Sequence, residues 1–346
     1  MNNMSEAFYA ITLIWGLVFI YAVMATIDFG AGFWSMIYLN RNNTKATNIA
    51  NRYLSPSWEV TNVFIVAIVV ALFSFFPGAT FTLGTVLLIP GSLIILLLAL
   101  RSAFLVFSHS ASENYKRILT LISGITGFLI PALLICVLPI THGGFIKTTN
   151  GVERLLLSEL FTSPSVYAFM AFAISSTLFL SSLLLSDYSN VSADQEAYQT
   201  YRRDAILVGP ISLAMAGLLV LTIRTEAPWL YERLMDYVPW LIGSMITFAI
   251  GYLALFIPRK TGVGIPRLAM ISIVIQYLLA SYAYGSAHLP YIVYPNVTIE
   301  TGFTDPATFR ALIVTYIVAF FILTPGFIYF WRLFLKDKRY LKQNES

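Results

Sequence analysis

Residues 60–100 read VTNVFIVAIVVALFSFFPGATFTLGTVLLIPGSLIILLLAL, 41 positions without one charged side chain. As a single helix this run would be about 60 Å long, roughly twice the hydrocarbon core of a bilayer. It must fold back on itself, and Phe76-Pro77-Gly78 is the break. Charge-free or nearly charge-free stretches recur at 118–152 (interrupted only by Lys147), 160–186, 205–223, 237–258, 268–299 and 311–331. Each exceeds the roughly 18 apolar residues that identify a spanning helix, whereas membrane strands would alternate over about 10 residues. Apolar residues make up 58% of the 346 positions and charged residues 11%, too little polar surface for a soluble globule. The fold class is an all-α integral membrane protein.

The same length test along the chain predicts nine transmembrane helices, at about 7–38, 59–76, 82–108, 118–141, 164–186, 204–223, 237–257, 267–285 and 309–334. They form a single polytopic domain over 1–346, read as two four-helix bundles (about 7–141 and 164–285) and a peripheral helix (about 309–334). Nine crossings put the termini on opposite faces. Loops on the C-terminal side carry 14 Lys and Arg residues: Arg41, Lys45, Arg52, Lys116, Arg117, Arg202, Arg203, Arg259, Lys260, Arg267, Lys336, Lys338, Arg339 and Lys342. The opposite face carries five: Lys147, Arg154, Arg224, Arg233 and Arg310. The positive-inside rule therefore predicts a cytoplasmic C-terminus and an N-terminus outside.

The net charge of +4 sits in these short loops, where it orients a membrane protein and does not suggest nucleic acid. Residues 1–7 hold Glu6 but no Lys or Arg, and the run from Ala7 is too long for a signal-peptide core, so it reads as a retained first helix. Cys136, the single cysteine, lies in an apolar run and reads as core. Trp229, Trp240 and Trp331 at span ends fit the interfacial aromatic belt. The segment HLPYIVYPN, residues 288–296, reads as extended, proline-held and lying on the surface.

There are three histidines, His109, His142 and His288, all at span ends or in loops. No two face each other at mid-membrane depth on this reading, so neither a heme nor a metal is assigned to the chain. Asp28, in MATIDFGAGFW, lies about ten residues, or about 15 Å, before the inner end of the first span. Its insertion costs on the order of 2.5–3.5 kcal/mol, which is offset by a partner or a wet path. It is either a structural ion pair or a step for protons. Gly30, Ala31 and Gly32 beside it let another backbone approach.

SPSWEVTN, residues 55–62, opens the second span with Ser55 and Pro56 as cap and first turn. Glu59 there serves either the helix start or a polar path, and Asn62 shares its face. Arg101, in LLALRSAF, is placed equally to snorkel or to pair with Asp28.

In order along the chain, TIDFGAGFW, NRYLSPSWEVTNVFIV with ALFSFFP, LALRSAF and AYGSAHLPYIVYP resemble subunit II of the cytochrome bd-type quinol oxidases over essentially the whole length. The resemblance implies a prokaryotic plasma-membrane subunit that pairs with a heme-bearing subunit I. That partner holds two b-type hemes and one d-type heme and oxidises quinol, and a small third subunit, quinone and lipid are further possible associates. It also implies a cytoplasmic proton route to the oxygen-reducing site, with Asp28 and Glu59 matching acidic positions and Trp58, Asn62 and Arg101 as supporting residues. Three departures stand out: Met24 replaces a second aspartate, Glu59 a commoner aspartate, and no acid occurs at 102–106 after Arg101. Composition by itself would equally fit a secondary transporter or permease with a buried carboxylate, or a purely structural subunit.

Overall fold

The computed structural model describes residues 3–39, 44–108, 113–149, 152–259 and 262–335. His109 and the side chains of Trp58, Glu59 and Trp331 lie outside the described residues. The helices are α1 (Asn3–Tyr38), α2 (Thr44–Phe75), α3 (Pro77–Val86), α4 (Leu88–Ser108), α5 (Glu113–Ile135), α6 (Val137–Thr141), α7 (Leu157–Thr162), α8 (Pro164–Val191), α9 (Gln195–Glu226), α10 (Pro228–Met235), α11 (Val238–Ala254), α12 (Pro266–His288) and α13 (Pro306–Leu335). Three two-residue to four-residue hairpins join them: β1 (Ile146–Thr149) with β2 (Val152–Leu155), β3 (Pro258–Arg259) with β4 (Gly262–Val263), and β5 (Tyr291–Val293) with β6 (Val297–Thr298).

Proline sets several of the helix starts. Phe76, Ala227 and Ile265 each precede a proline and leave the helical region, with φ between −133 and −119. The steric restriction on the residue before proline ends one helix, and the fixed φ of proline seeds the next. The fold-back at Phe76-Pro77 is thus where the sequence puts it. Ser163 caps α8, its Oγ accepting from Val166 N, and Asp194 caps α9 by accepting from Ala197 N.

Seven helices among the described residues are long and apolar enough to cross a membrane: Glu6–Tyr38, Leu88–Phe107, Tyr115–Thr141, Pro164–Val191, Gln195–Glu226, Pro266–His288 and Pro306–Gly326. An eighth is available if α10 and α11, bent by 77°, act as one span, and Val60–Phe75 is apolar but shorter. Several boundaries differ from the sequence reading: α2 begins at Thr44, about four turns before position 59, and α8 runs on to Val191, past 186. The stretch before Leu88 is not part of the following span but the separate α3, and α9 begins at Gln195, a good two turns before position 204.

Burial is inverted relative to a soluble protein. Large apolar side chains face outward, Phe73, Ile95 and Phe321 being 63–71% exposed, as lipid-facing residues are. Inside, Ser181, Ser182, Ser186 and Ser189 of α8 are fully buried, and three of their hydroxyls return to the helix, Ser181 Oγ to Thr177 O, Ser182 Oγ to Phe179 O and Ser189 Oγ to Leu185 O. α8 is the central helix, meeting α1, α5, α9 and α12. Small residues there let the axes approach: a Cβ at Gly30 would lie 2.1 Å from Ser181 Oγ and 2.8 Å from the Thr177 carbonyl. The indole of Trp34 donates to Ser181 Oγ at 3.0 Å on the same seam.

Residues 288–296 correct the surface reading. They are extended, but Val293 is buried with Val297 and Ile299 in a cluster formed by α1, α2, α3 and α13. Tyr294 stacks on Trp229, ring centroids 4.3 Å apart and 12° from parallel. Trp229 is therefore a clamp on this segment and not only a belt residue. Trp229→Ala removes that stack and the flanking contact to Tyr291, so faster amide hydrogen exchange is expected over residues 289–299, measured by mass spectrometry.

Candidate functional site

Asp28 lies on α1, ten residues or about 15 Å from the end of that helix at Tyr38. It is buried, and so is Arg101 of α4; their side chains are 4% and 3% exposed. The guanidinium bridges two helices. Nη2 donates to the Asp28 carbonyl at 2.9 Å, and Nη1 donates to the Ser123 carbonyl of α5 at 2.7 Å and to Ser123 Oγ at 3.1 Å. Nη2 also lies 3.4 Å from Asp28 Oδ2, and the guanidinium carbon sits 5.2 Å over the Phe29 ring. The main-chain contacts are the shorter ones, so Arg101 is held chiefly by two helix carbonyls, with the carboxylate adding charge compensation.

Glycine makes the room for this. A Cβ at Gly32 would be 2.8 Å from Arg101 Nη1, and one at Gly127 of α5 would be 2.4 Å from the Phe29 carbonyl. Beside the pair lies a cavity of about 10 Å³ lined by Asp28, Thr61, Asn62, Arg101 and Ser102 among others. That is at the threshold for holding one water. Asn62, half-buried on α2, is thus brought to Asp28 and Arg101. Trp58 and Glu59 lie on α2 one turn before it, their side chains outside the described residues. Arg101 does not snorkel.

Two features went unread in the sequence. Near the C-terminal end of α1, Asp204 of α9 is buried and accepts from Tyr38 Oη at 2.5 Å, while Tyr201 Oη donates to the Ala46 carbonyl at 2.6 Å. The signal was an acid opening an apolar run, but Arg202 and Arg203 beside it make it look like a loop residue. The second feature is a correction: although each stands at a helix end, His142 and His288 do not lie apart on the surface. They are 7% and 9% exposed, their rings 5.9 Å apart, because the connections after α6 and α12 fold together. His142 Nε2 is 2.6 Å from Tyr284 Oη, and Trp229 Nε1 donates to the His142 carbonyl at 3.4 Å. Burial, and then the neighbouring His288, push the His142 imidazole down to about 3, so it is neutral at physiological pH.

These histidines do not fit a heme. His288 engages both nitrogens, Nδ1 with the Tyr291 carbonyl at 2.8 Å and Nε2 with Thr141 Oγ1 at 3.4 Å. The two rings sit against each other and against Tyr284, leaving no room for a macrocycle between them. Among the described residues no group of three His, Cys, Asp or Glu side chains could hold a metal ion. Cys136 is buried, its thiol donating to the Ala132 carbonyl.

A helical bundle with lipid-facing walls and a buried Asp–Arg pair defines a polytopic membrane protein. The family profile of cytochrome bd terminal oxidase subunit II matches residues 6–334. A Bacillus subtilis (strain 168) chain described as a cytochrome bd menaquinol oxidase subunit II is 64% identical over 348 residues, covering 100% of both chains. The solved bd oxidase from Geobacillus thermodenitrificans superposes with a TM-score of 0.81 and 35% identity, over 96% of this chain and 99% of that one. The chain belongs to the cytochrome bd terminal oxidase subunit II family. It is a component of a quinol oxidase and a multi-pass protein of the bacterial plasma membrane, which removes the transporter alternative.

Proposed function

We propose that this chain supports a heme-bearing subunit I and supplies it with protons from the cytoplasm through Glu59, Asn62 and Asp28, with menaquinol as the reductant. The observation that carries the reading is the small cavity joining Asn62 of α2 to the Asp28–Arg101 pair. A proton moves only between groups one or two waters apart, and this cavity is sized for one. Glu59 stands three residues before Asn62 on α2, about 4.5 Å along the axis, as the entry step. Asp28 holds the proton deeper in, while Arg101 sets the local charge and Asn62 orients the water.

The partner's two b-type hemes and one d-type heme would carry electrons from quinol to oxygen. Nine crossings, counting the shorter apolar Val60–Phe75 and the bent α10–α11 pair beside the seven long helices, would put the termini on opposite faces. The excess of Lys and Arg in the loops of the C-terminal side supports a cytoplasmic C-terminus and an N-terminus outside. The two bundles (7–141 and 164–285) would meet through α8, which packs on α1 and α5 as well as on α9 and α12, with α13 peripheral. The name of the Bacillus subtilis relative supports menaquinol. A small third subunit and a bound quinone or lipid complete the assembly.

A second reading is purely structural. The two main-chain hydrogen bonds of Arg101 favour it, because they clamp α1 to α5 whatever the protonation of Asp28. Asp28→Asn and Glu59→Gln separate the two. In assembled, heme-replete complexes each is expected to lower oxygen-consuming quinol oxidation by about tenfold, the low end of what a positioned proton-transfer group contributes. Normal turnover across pH in both variants, with heme spectra intact, leaves only the clamp.

A further inference from the structure

We propose that the cavity enclosed by α6, α7, the start of α8 and the end of α9 binds the primary ammonium headgroup of a membrane aminophospholipid. The cavity measures about 340 Å³ and is lined by His142, Phe145, Thr162, Ser163, Ser165 and Glu226 together with Pro139, Gly144 and Pro164. That volume is at the lower end for a small-molecule site.

Its chemistry is one-sided. The Glu226 carboxylate lies across the start of α8, Oε2 accepting from Ser163 Oγ at 2.5 Å and Oε1 from Ser165 N at 3.2 Å. It therefore already fills the role an anion would play at that helix start. Each oxygen keeps a second lone pair. Ser165 is 2% exposed, and its Oγ has no hydrogen-bond partner among the described residues. A buried hydroxyl in that state carries a desolvation penalty that a ligand can relieve. His142 adds a neutral imidazole, and no Lys or Arg lines the cavity.

The walls thus offer acceptors and one negative charge without a counter-charge. Phosphate or carboxylate would meet Glu226 head on, whereas an ammonium brings a positive charge and three N–H donors. A lipid is the source because exposed aromatics stand just before and just after the lining residues Thr162–Ser165. Phe161 and Tyr167, on either side of Thr162–Ser165, are 66% and 52% exposed, and the Tyr167 hydroxyl is tied back to the Phe161 carbonyl at 2.7 Å. Such rings sit at headgroup level and would lie along acyl chains, for which a free amine has no use.

The test is native mass spectrometry of the complete oxidase complex, delipidated and reloaded with phosphatidylethanolamine, phosphatidylcholine or phosphatidylglycerol. Phosphatidylethanolamine should be retained in preference to the other two. Glu226→Gln, which keeps an acceptor for the helix cap but removes the charge, should weaken retention by about tenfold. Ser165→Ala should weaken it less, and both variants should keep wild-type heme spectra and turnover. Excess ethanolamine should not displace the lipid. Equal retention of phosphatidylcholine, which has no N–H donor, or undiminished retention by Glu226→Gln overturns the proposal. Displacement by ethanolamine would mean a site for free amines, and displacement by a quinol analogue a quinol site; either result also overturns it.

Discussion

Arg101→Met is expected to destabilise the assembled protein by about 3–5 kcal/mol, the loss that follows removal of one partner from a buried charged pair. Methionine fills much of the same space, so the effect isolates the guanidinium from the packing. Several interactions vanish together: the donations to the Asp28 and Ser123 carbonyls and to Ser123 Oγ, the charge beside Asp28 Oδ2 and the cation over the Phe29 ring. The carbonyls retain their helical partners, so the larger part of the loss comes from a carboxylate left in a low-dielectric setting without its cation. Asp28→Asn combined with Arg101→Met should therefore recover a good share of the stability, and the double-mutant cycle should show strong coupling. Arg101→Lys should fall between, because a single ammonium cannot reach both carbonyls as the forked guanidinium does. The measurement is the thermal midpoint of the detergent-solubilised complex, followed by tryptophan fluorescence. A midpoint for Arg101→Met equal to wild type would show that the pair does not hold α1, α4 and α5 together.

Much of this site is legible in the sequence because charge is scarce there. Asp28 and Arg101 are isolated charges in otherwise apolar runs, and opposite charges so placed point to each other. Ser123 is invisible by the same logic, since serine is common in spanning helices and nothing marks the one whose carbonyl faces a guanidinium. The buried histidines were missed for a topological reason. His142 and His288 are 146 positions apart and each looks like a loop residue, and only the folding together of two connections buries them. Helix boundaries failed where a second proline was passed over. Pro90 sits in the first turn of α4, where proline is tolerated, and so marks a fresh helix start that separates α3. The helix α10 escaped because Glu232 and Arg233 make it read as a loop between two apolar runs.

Gly127→Ala is expected to destabilise the same core by about 3 kcal/mol, the upper end for overpacking, because the added methyl meets backbone that cannot rotate away. The new Cβ would lie 2.4 Å from the Phe29 carbonyl oxygen, about 1 Å short of the 3.4 Å at which ordinary contact begins. To admit it, α1 and α5 must separate, and Arg101 spans that gap, bonded to the Asp28 carbonyl on one side and the Ser123 carbonyl on the other. Separation by about an ångström lengthens at least one of these bonds past useful range. The helix-propensity gain of alanine over glycine, about 0.5–1 kcal/mol, is too small to offset this. Gly16→Ala on α1 is the matched control, since nothing lies within 4 Å of a Cβ there. It gains the propensity term without the clash and should raise the midpoint slightly. Thermal midpoints of the two variants should therefore move in opposite directions. A fall for both would assign the effect to glycine flexibility, and a rise for both would mean that α1 and α5 have slack between them and that Arg101 is not stretched across a tight seam.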